Sequence, residues 1–234
     1  VAITKLAAYG SFFAAVLLAF FIIPNPDVTT KYMMKVINEG LIYFIAVLGL
    51  SVVLGMGGQV TFSTAGMMGV GAYICAIFTT RFNWDPLPAL VLAMIGGGVF
   101  SYVMGLALFR LKGSYFAFAS IGFTNLIYTV LQNWMDVTGG PDGISRIPKL
   151  GLYFFQCNNY YDFFKAILVF ALISGLVVQR IRKTYFGRSL ASVRDNEIVA
   201  QCLGINVYRT KVLSFVVAGM LACLAGGLYA YQSG

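Results

Sequence analysis

The chain has 234 residues, of which 59% are hydrophobic and only 10% are charged, and its formal net charge is +8. Because soluble domains carry roughly a quarter charged residues, this composition excludes an ordinary soluble protein and predicts an integral membrane protein. Histidine, the commonest metal ligand, is absent, and the four cysteines stand singly, so no metal site is predicted.

Seven apolar segments follow one another along the chain, each close to the length that crosses a bilayer. They cover residues 6–23, 40–56, 60–80, 87–109, 114–132, 163–179 and 211–231. We therefore predict an all-α fold, with residues 1–234 forming a single polytopic transmembrane domain of about seven spans. The first segment lacks a small-residue cleavage site, so we expect it to be retained.

The basic residues are divided unevenly between the two ends of these segments. If the N-terminus is cytoplasmic, ten of the 16 basic residues fall on the cytoplasmic side. These residues are Lys5, Arg110, Lys112, Arg180, Arg182, Lys183, Arg188, Arg194, Arg209 and Lys211. This division agrees with the positive-inside rule, so we predict a multi-pass membrane protein with a cytoplasmic N-terminus. A nucleic-acid partner is not expected, since that would require a soluble basic face with interleaved aromatic residues.

Charged residues are absent from the middle of every segment, where each would cost about 2.5–3.5 kcal/mol. Ion-coupled transporters usually bind the coupling ion through such a residue. The chain is therefore poorly equipped for proton coupling, although backbone carbonyls could hold a sodium ion. Polar residues inside spans more often bond neighbouring helices than substrates.

Two polar stretches interrupt the apolar pattern. Residues 55–63 (GMGGQVTFS) leave almost no loop between two segments, so they are predicted to dip back into the bilayer where protein or a cavity supports the backbone. Residues 138–145 (TGGPDGIS) predict a turn. Neither stretch, nor any other, matches the G-x-x-x-x-G-K-[ST] phosphate loop, so ATP binding by that route is not predicted.

Small residues recur every four positions in the last segment, which predicts a surface along which another helix backbone can approach closely. The predicted packing residues are Ala218, Ala222, Gly226 and Ala230, with Gly219, Cys223 and Gly227 beside them.

A polar block, GRSLASVRDNEIVAQCLGI, lies between the last two apolar segments, over residues 187–205. The pattern predicts an amphipathic helix over 193–203, with Ser192 as its N-cap, Gly204 as its stop and Asp195 near its positive end. One face carries Arg194, Glu197 and Gln201, and the other carries Val193, Val199, Ala200 and Leu203, with Asn196 intruding. Such a helix lies on a membrane surface or docks into a partner. The alternative is a solvated loop with an amphipathic turn.

Residues 194–206 (RDNEIVAQCLGIN), with KVLSF at 211–215 and the small-residue segment, resemble the cytoplasmic EAA-type loop of ATP-binding cassette (ABC) importer permeases. The closest likeness is to the LivM-like permeases for branched-chain amino acids. Three further stretches agree in order and spacing, and the resemblance covers residues 40–232. They are residues 48–59 (LGLSVVLGMGGQ), residues 69–73 (GVGAY), and residues 111–117 (LKGSYFA) together with 138–145.

The resemblance implies a permease subunit of the bacterial inner membrane and not an enzyme. It implies a second permease subunit, two cytoplasmic ATPase subunits that bind ATP and Mg, and an external substrate-binding protein, with no cofactor in this chain. The residues that would couple to the ATPases are Arg194, Asp195, Asn196, Glu197, Ala200, Gln201, Leu203 and Gly204. Glu197, Ala200 and Gly204 match the acidic, small and glycine positions of the family motif.

The chain departs from the family pattern at several positions. Ser51 stands where relatives commonly have Asn, Phe62 and Ser63 replace a Gly-His pair, and residues 124–128 lack an acid that relatives often show. The chain stops at Gly234, before the expected final spans, so we expect it to be truncated at its C-terminus. These departures leave urea or short amides as alternative substrates, and an ion-coupled secondary transporter as a rival function.

A path without a charge at its middle suits a neutral or zwitterionic solute such as a branched-chain amino acid. Hydroxyl and amide side chains would contact such a solute, although in this family selectivity rests largely with the external binding protein. The candidate path residues are Gln59, Ser63, Thr64, Tyr115 and Asn125.

Overall fold

A computed structural model describes residues 30–111, 113–148, 150–152, 155–156 and 160–234. The long helices are α1 (Lys31–Leu50, continued by a π-helical turn, Ser51–Met56), α2 (Thr64–Arg81), α3 (Pro86–Leu108), α4 (Ser114–Asn133), α6 (Tyr160–Lys183) and α9 (Val207–Ser233). The shorter helices are α5 (Met135–Thr138), α7 (Tyr185–Asp195) and α8 (Glu197–Cys202). A 3-10 turn (Gly140–Asp142) stands where a turn was predicted, and β1 (Gly151–Leu152) pairs antiparallel with β2 (Phe155–Gln156). Apart from this short strand pair, the described fold is all-α as predicted.

Five of the described helical stretches are long and apolar enough to cross a membrane. They are Lys31–Met56, Pro86–Leu108, Ser114–Asn133, Tyr160–Lys183 and Val207–Ser233. Helix α2, with 18 residues, falls outside this set because threonines, glycines and Arg81 lower its hydropathy. The predicted segment at 6–23 lies outside the described residues, so the structure supports five of the roughly seven predicted spans.

The helices extend beyond the apolar runs from which they were predicted. Helix α1 begins at Lys31, not near residue 40, and α6 continues to Lys183, beyond residue 179. Hydropathy marks the part of a helix that suits hydrocarbon, whereas its backbone hydrogen bonds continue into the polar ends. The basic last turn of α6 also lies at the negative end of the helix dipole, which favours positive side chains there.

Contacts at the two ends of the bundle show that α9 runs in the opposite direction to α1, α3 and α6. At one end, Asn38 Nδ2 donates to the Tyr160 carbonyl (3.1 Å), and Gln232 Nε2 donates to the Lys35 carbonyl (2.9 Å). At the other end, the Tyr208 hydroxyl donates to the carbonyl of Leu106 (2.7 Å). Helices α7 and α8 lie at this second end, which we call the α7–α8 end.

Helix α9 is the most buried of the five candidate spans and packs against α1, α2 and α3. Its small residues permit this packing, since a Cβ atom added at Gly226 would overlap the backbone of Met68 in α2. Likewise, a Cβ atom at Gly71 of α2 would overlap the backbone of Cys223. Of the predicted packing residues, Ala222, Gly226 and Ala230 are buried and Ala218 is partly buried. The bundle is therefore assembled around one closely packed helix.

Replacing Gly226 by alanine is expected to lower the free energy of unfolding by about 1–3 kcal/mol, because the added methyl group meets backbone atoms that cannot rotate away. The midpoint of thermal unfolding in detergent measures this. The matched control is Gly40→Ala in α1, where nothing lies within 4 Å of an added Cβ atom. Gly40→Ala should leave the midpoint unchanged or raise it slightly. Equal midpoints for the two variants would contradict the close packing at Gly226.

The chain between α1 and α2 is supported by α4. The π-helical turn continues α1 through Met56, so the predicted dip is partly helical. Farther along, the backbone N–H of Phe62 donates to Ser120 Oγ (2.9 Å), and Thr124 Oγ1 donates to the Phe62 carbonyl (3.0 Å). The short link therefore obtains two of its hydrogen bonds from hydroxyl groups of α4, and its depth in a bilayer stays a prediction.

Candidate functional site

Helix α7 packs its apolar side onto the ends of two long helices. Thr184 caps its start by accepting a hydrogen bond from the Gly187 N–H (3.4 Å). Leu190 is fully buried and packs with Val52 of the π-helical turn and Val178 of α6. Because α7 is amphipathic and this apolar side is buried, its position is fixed relative to α1 and α6.

The prediction of one helix over 193–203, capped by Ser192, is wrong. Helix α7 already runs from Tyr185 to Asp195, and the chain is extended at Asn196 before α8 begins. The side chain of Asn196 accepts hydrogen bonds from the N–H groups of Ile198 (2.9 Å) and Val199 (3.2 Å). An asparagine that caps the next turn in this way competes with continuation of the helix. Asp195 therefore ends α7, where the dipole does not favour it, and does not begin the helix as predicted.

The break at Asn196 also changes which side chains face inward. Val193 and Ala200 are buried together with Val207, as their predicted apolar face requires. Val199 and Leu203 were predicted on the same face but are exposed, by 53% and 70%. Ile198 beside them is 73% exposed. We call Ile198, Val199 and Leu203 the α8 apolar surface, and such a cluster at an exposed corner is typical of a protein contact.

Helix α8 ends before Gly204, as predicted. Gly204 has a φ of +79°, its N–H donates to the Gln201 carbonyl (2.9 Å), and the Ile205 N–H donates to the Ala200 carbonyl (3.0 Å). This pair of bonds is the Schellman motif, in which a left-handed residue ends the helix at little cost when it is glycine. Gly204 therefore fixes the direction in which the chain leaves α8 toward α9.

An ion pair joins α8 to the longest described helix. Lys211 Nζ in the first turns of α9 lies 2.5 Å from Glu197 Oε1 at the start of α8. The lysine side chain is only 13% exposed, so the pair is less screened by solvent than a surface pair. The pair therefore links the start of α8 to the first turns of α9, although the Glu197 side chain is itself 51% exposed.

Arg194 joins the end of α7 to the π-helical turn. Its Nη1 donates to the Gly55 carbonyl (2.9 Å), and the guanidinium lies 3.2 Å from Asp195 Oδ1. A Cβ atom at Gly58 would lie 2.6 Å from Arg194 Cγ, so this glycine makes room for the arginine side chain. Gln201, another predicted coupling residue, is exposed on α8. The contact between Arg194 and residues 55–58 was not predicted, although a glycine pair there is typical of a close approach.

The predicted path residues lie on two elements of the fold, the α1–α2 link with the start of α2, and helix α4. Gln59, Ser63 and Thr64 lie in the α1–α2 link and at the start of α2. Ser63 is buried and its hydroxyl bonds that of Thr61 (2.9 Å). Tyr115 and Asn125 are both exposed on α4.

The exposed face of α4, one of the candidate spans, carries a polar stripe. We call Asn125, Tyr128, Thr129 and Gln132 the α4 polar stripe, since their spacing places them on one side of the helix and all four are exposed. The opposite side is buried and includes Ser120, Phe123 and Ile127.

Asn125 lies close to the middle of α4, and its side-chain amide forms no hydrogen bond with another described residue. Facing lipid, such an amide would cost several kcal/mol, roughly what an unsatisfied polar group costs in hydrocarbon. The stripe therefore faces water, a solute or another protein. Sequence analysis identified Asn125 but missed the stripe, which a search for polar residues at helical spacing would have found.

The structure therefore combines five candidate membrane spans with an exposed polar stripe on α4 and a separate exposed apolar surface on α8. A family model described as "Branched-chain amino acid transport system / permease component" matches residues 32–234. The chain therefore belongs to this family of transport permeases. The predicted resemblance to LivM-like permeases is confirmed.

Relatives of the chain are named for different substrates. The chain is 28% identical over 235 residues to the high-affinity branched-chain amino acid transport system permease protein LivM of Salmonella typhimurium, covering 89% of this chain and 55% of the relative. It is 28% identical to the guanosine ABC transporter permease protein NupQ of Bacillus subtilis, with 74% and 59% covered. It is 29% identical to the galactose/methyl galactoside import permease protein MglC of Haemophilus influenzae, with 64% and 45% covered.

The chain thus spans about half the length of the curated relatives it matches. No solved structure matches it.

Proposed function

We propose that the chain is a permease subunit of an ABC importer that moves branched-chain amino acids across the bacterial inner membrane. Its partners would be a second permease subunit, two cytoplasmic ATPase subunits that hold ATP and Mg, and an external substrate-binding protein. The observation that carries this proposal is the α8 apolar surface, which is exposed at one end of the bundle and joined to α9 through the ion pair of Glu197 with Lys211.

The distribution of charge supports a cytoplasmic location for the α7–α8 end. Asp195 and Glu197 are the described acidic residues there, and both are held in ion pairs. The described basic residues at this end are Arg110, Arg180, Arg182, Lys183, Arg188, Arg194, Arg209 and Lys211. This excess of basic residues next to span ends is typical of the cytoplasmic side.

Two connections would carry movement of the ATPase subunits into the bundle. The ATPases would hold α8 through Ile198, Val199 and Leu203, as a groove holds the apolar side of a docked helix. The ion pair of Glu197 with Lys211 would pass a rigid-body movement to α9, and Arg194 would pass it to α1. ATP binding drives transport in this scheme because it favours one arrangement of these helices over the other.

The α4 polar stripe would line the translocation path. Asn125 offers both an amide donor and a carbonyl acceptor near mid-span, which suits the ammonium and carboxylate groups of a zwitterion. Gln59 and Thr64 would lie on a separate part of the path, at the link that α4 supports. Such a path would offer uncharged hydrogen-bonding groups, so a neutral or zwitterionic solute would be held weakly enough to leave.

Branched-chain amino acids are the favoured substrate class because both the family description and the Salmonella relative name them. A nucleoside is the second candidate, since the relative from Bacillus subtilis is named for guanosine. Uptake by proteoliposomes that contain the full complex separates these candidates. We expect labelled leucine to enter only with ATP inside the vesicles, and unlabelled isoleucine or valine to compete where guanosine and galactose do not.

Replacing Gly204 by valine is expected to reduce this ATP-dependent uptake by about tenfold or more, because a β-branched residue is strained at positive φ and the exit from α8 must rearrange. Initial rates of leucine uptake measure the loss, and circular dichroism checks that the helices persist. Unchanged uptake by this variant, or uptake that needs no ATP, would favour a secondary transporter and contradict the proposal.

A further inference from the structure

Both tryptophans of the chain lie at the end of the bundle opposite the α7–α8 end. Trp84 stands two residues before α3 begins, and Trp134 directly follows the last residue of α4. Trp84 is 45% exposed and Trp134 is 53% exposed. Their neighbours are joined, since Arg81 Nη2 at the end of α2 donates to the Asp136 carbonyl in α5 (2.6 Å). The two tryptophans therefore lie at a similar level of the bundle.

Local structure holds Trp84 in position. Its backbone N–H donates to the Phe78 carbonyl (3.2 Å), and the centres of the two rings are 5.2 Å apart. The chain can turn back in this way because Asn83 adopts a φ of +51°, a conformation that asparagine accepts more readily than most residues. The ring of Trp84 is therefore supported on one side by α2 and exposed on the other.

Trp134 is held by the turn between α4 and α5. Its N–H donates to the Val130 carbonyl (3.1 Å), and its carbonyl accepts a hydrogen bond from the Thr138 N–H (2.9 Å). The Thr138 side chain is buried, and its hydroxyl donates to the same carbonyl (2.8 Å). The exposed ring is therefore attached to a corner whose backbone is fully bonded.

Helix α4 carries an exposed aromatic residue at each of its ends. Tyr115 is the second residue of α4 and is 74% exposed. Because the helix has 20 residues, Tyr115 and Trp134 are separated by about 28 Å along its axis. The hydrocarbon core of a bilayer is about 30 Å thick, so the two rings are spaced to lie at its two boundaries. Asn125 then lies close to the middle of the hydrocarbon.

Exposed tyrosines stand at the same end of the bundle as the tryptophans. Tyr32 lies in the first turn of α1 and is 76% exposed, and Tyr160, the first residue of α6, is 41% exposed. The hydrogen bond of Asn38 with the Tyr160 carbonyl places the starts of α1 and α6 together at this end. Each of these aromatic residues lies at or next to the end of a candidate span. We call Tyr32, Trp84, Trp134 and Tyr160 the aromatic belt.

We propose that the aromatic belt lies in the lipid headgroup region of the leaflet opposite the α7–α8 end and sets the depth of the protein in the membrane. Tryptophan and tyrosine are enriched at this interface because their rings are apolar while their N–H or O–H group reaches water. The spacing on α4 and the presence of the belt on several helices favour a bilayer over a docked protein. The proposal requires only that the helices cross a membrane, so it does not depend on the transported solute.

Tryptophan fluorescence of the full-length protein in phosphatidylcholine vesicles tests this proposal. Bromine on the acyl chains quenches nearby tryptophan, and it can be placed close to the glycerol or close to the chain ends. We expect bromine close to the glycerol to quench about twofold more strongly, because interfacial rings lie at headgroup level. The signal is the difference between wild type and the Trp84→Phe/Trp134→Phe variant, which removes the contribution of any other tryptophan.

The matched control is Ile95→Trp in the Trp84→Phe/Trp134→Phe background. Ile95 lies near the middle of α3 and is 54% exposed, so bromine close to the chain ends should quench this tryptophan more strongly. The same depth for the native tryptophans would overturn the proposal. It would also be overturned if aqueous iodide quenched the native tryptophans and lipid bromine did not, a result that would favour a docking surface for an external protein.

Discussion

Replacing Asn125 by leucine is expected to abolish most solute uptake, with a fall of about tenfold or more in the initial rate, since a hydrogen bond to a charged group contributes about 1.5–3 kcal/mol. The side chain lies near the middle of α4 on an exposed face, and leucine has a similar size without the amide. Uptake of labelled leucine by proteoliposomes that contain the full complex measures the effect.

Asn133→Leu is the matched control for this experiment. Asn133 lies on the same helix, but it is the last residue of α4 and its Nδ2 bonds the Thr129 carbonyl (2.8 Å). We expect its uptake to remain within about twofold of wild type, since surface changes away from a special site usually cost less than about 0.5 kcal/mol. If both variants lose uptake equally, the α4 polar stripe does not line the path at Asn125. ATPase activity in detergent should persist in Asn125→Leu, because the residue is far from the α7–α8 end.

The double variant Ile198→Asp/Leu203→Asp is expected to prevent stable assembly with the ATPase subunits. We expect the affinity to fall by about 30-fold or more, which is typical when the central residues of an interface are substituted. Both residues are mostly exposed, so a charge there leaves the permease fold intact and is buried only in the complex. Co-purification and titration of the ATPase onto permease-containing nanodiscs measure the loss.

Leu111→Asp provides the control for a new acidic charge at the same end. Leu111 is an exposed leucine between α3 and α4, outside the α8 apolar surface. Its variant should bind the ATPase like wild type. Normal assembly of the Ile198→Asp/Leu203→Asp variant would remove the main support for α8 as the coupling element.

Much of the fold follows from the sequence because a bilayer imposes simple demands on it. A segment that crosses hydrocarbon must be apolar and helical, so the runs at 87–109 and 114–132 predicted α3 and α4 nearly to their ends. The small-residue repeat of the last segment likewise predicted where another helix backbone approaches α9, since only a small side chain leaves room at that contact.

The region around α8 was harder to predict for two reasons. One of its residues fits two local structures, and another contacts a residue far away in the sequence. Asn196 is acceptable within a helix and as an N-cap, and the sequence alone does not decide between them. The contact of Arg194 with Gly55 joins residues 139 positions apart. The helical spacing of the α4 polar stripe can be found in the sequence, but its exposure cannot, because that depends on which helices pack around α4.

The bond between Arg194 and Gly55 restricts how the bundle can deform. In the described part of the chain, the Gly55 carbonyl receives its hydrogen bond from this guanidinium and not from a backbone amide. Pulling α7 away would break this bond and would also separate Leu190 from Val52, with which it packs. Deformations that keep α7 and the π-helical end of α1 together are therefore less costly than those that separate them, and we expect any rearrangement of the bundle to occur at the contacts around this unit.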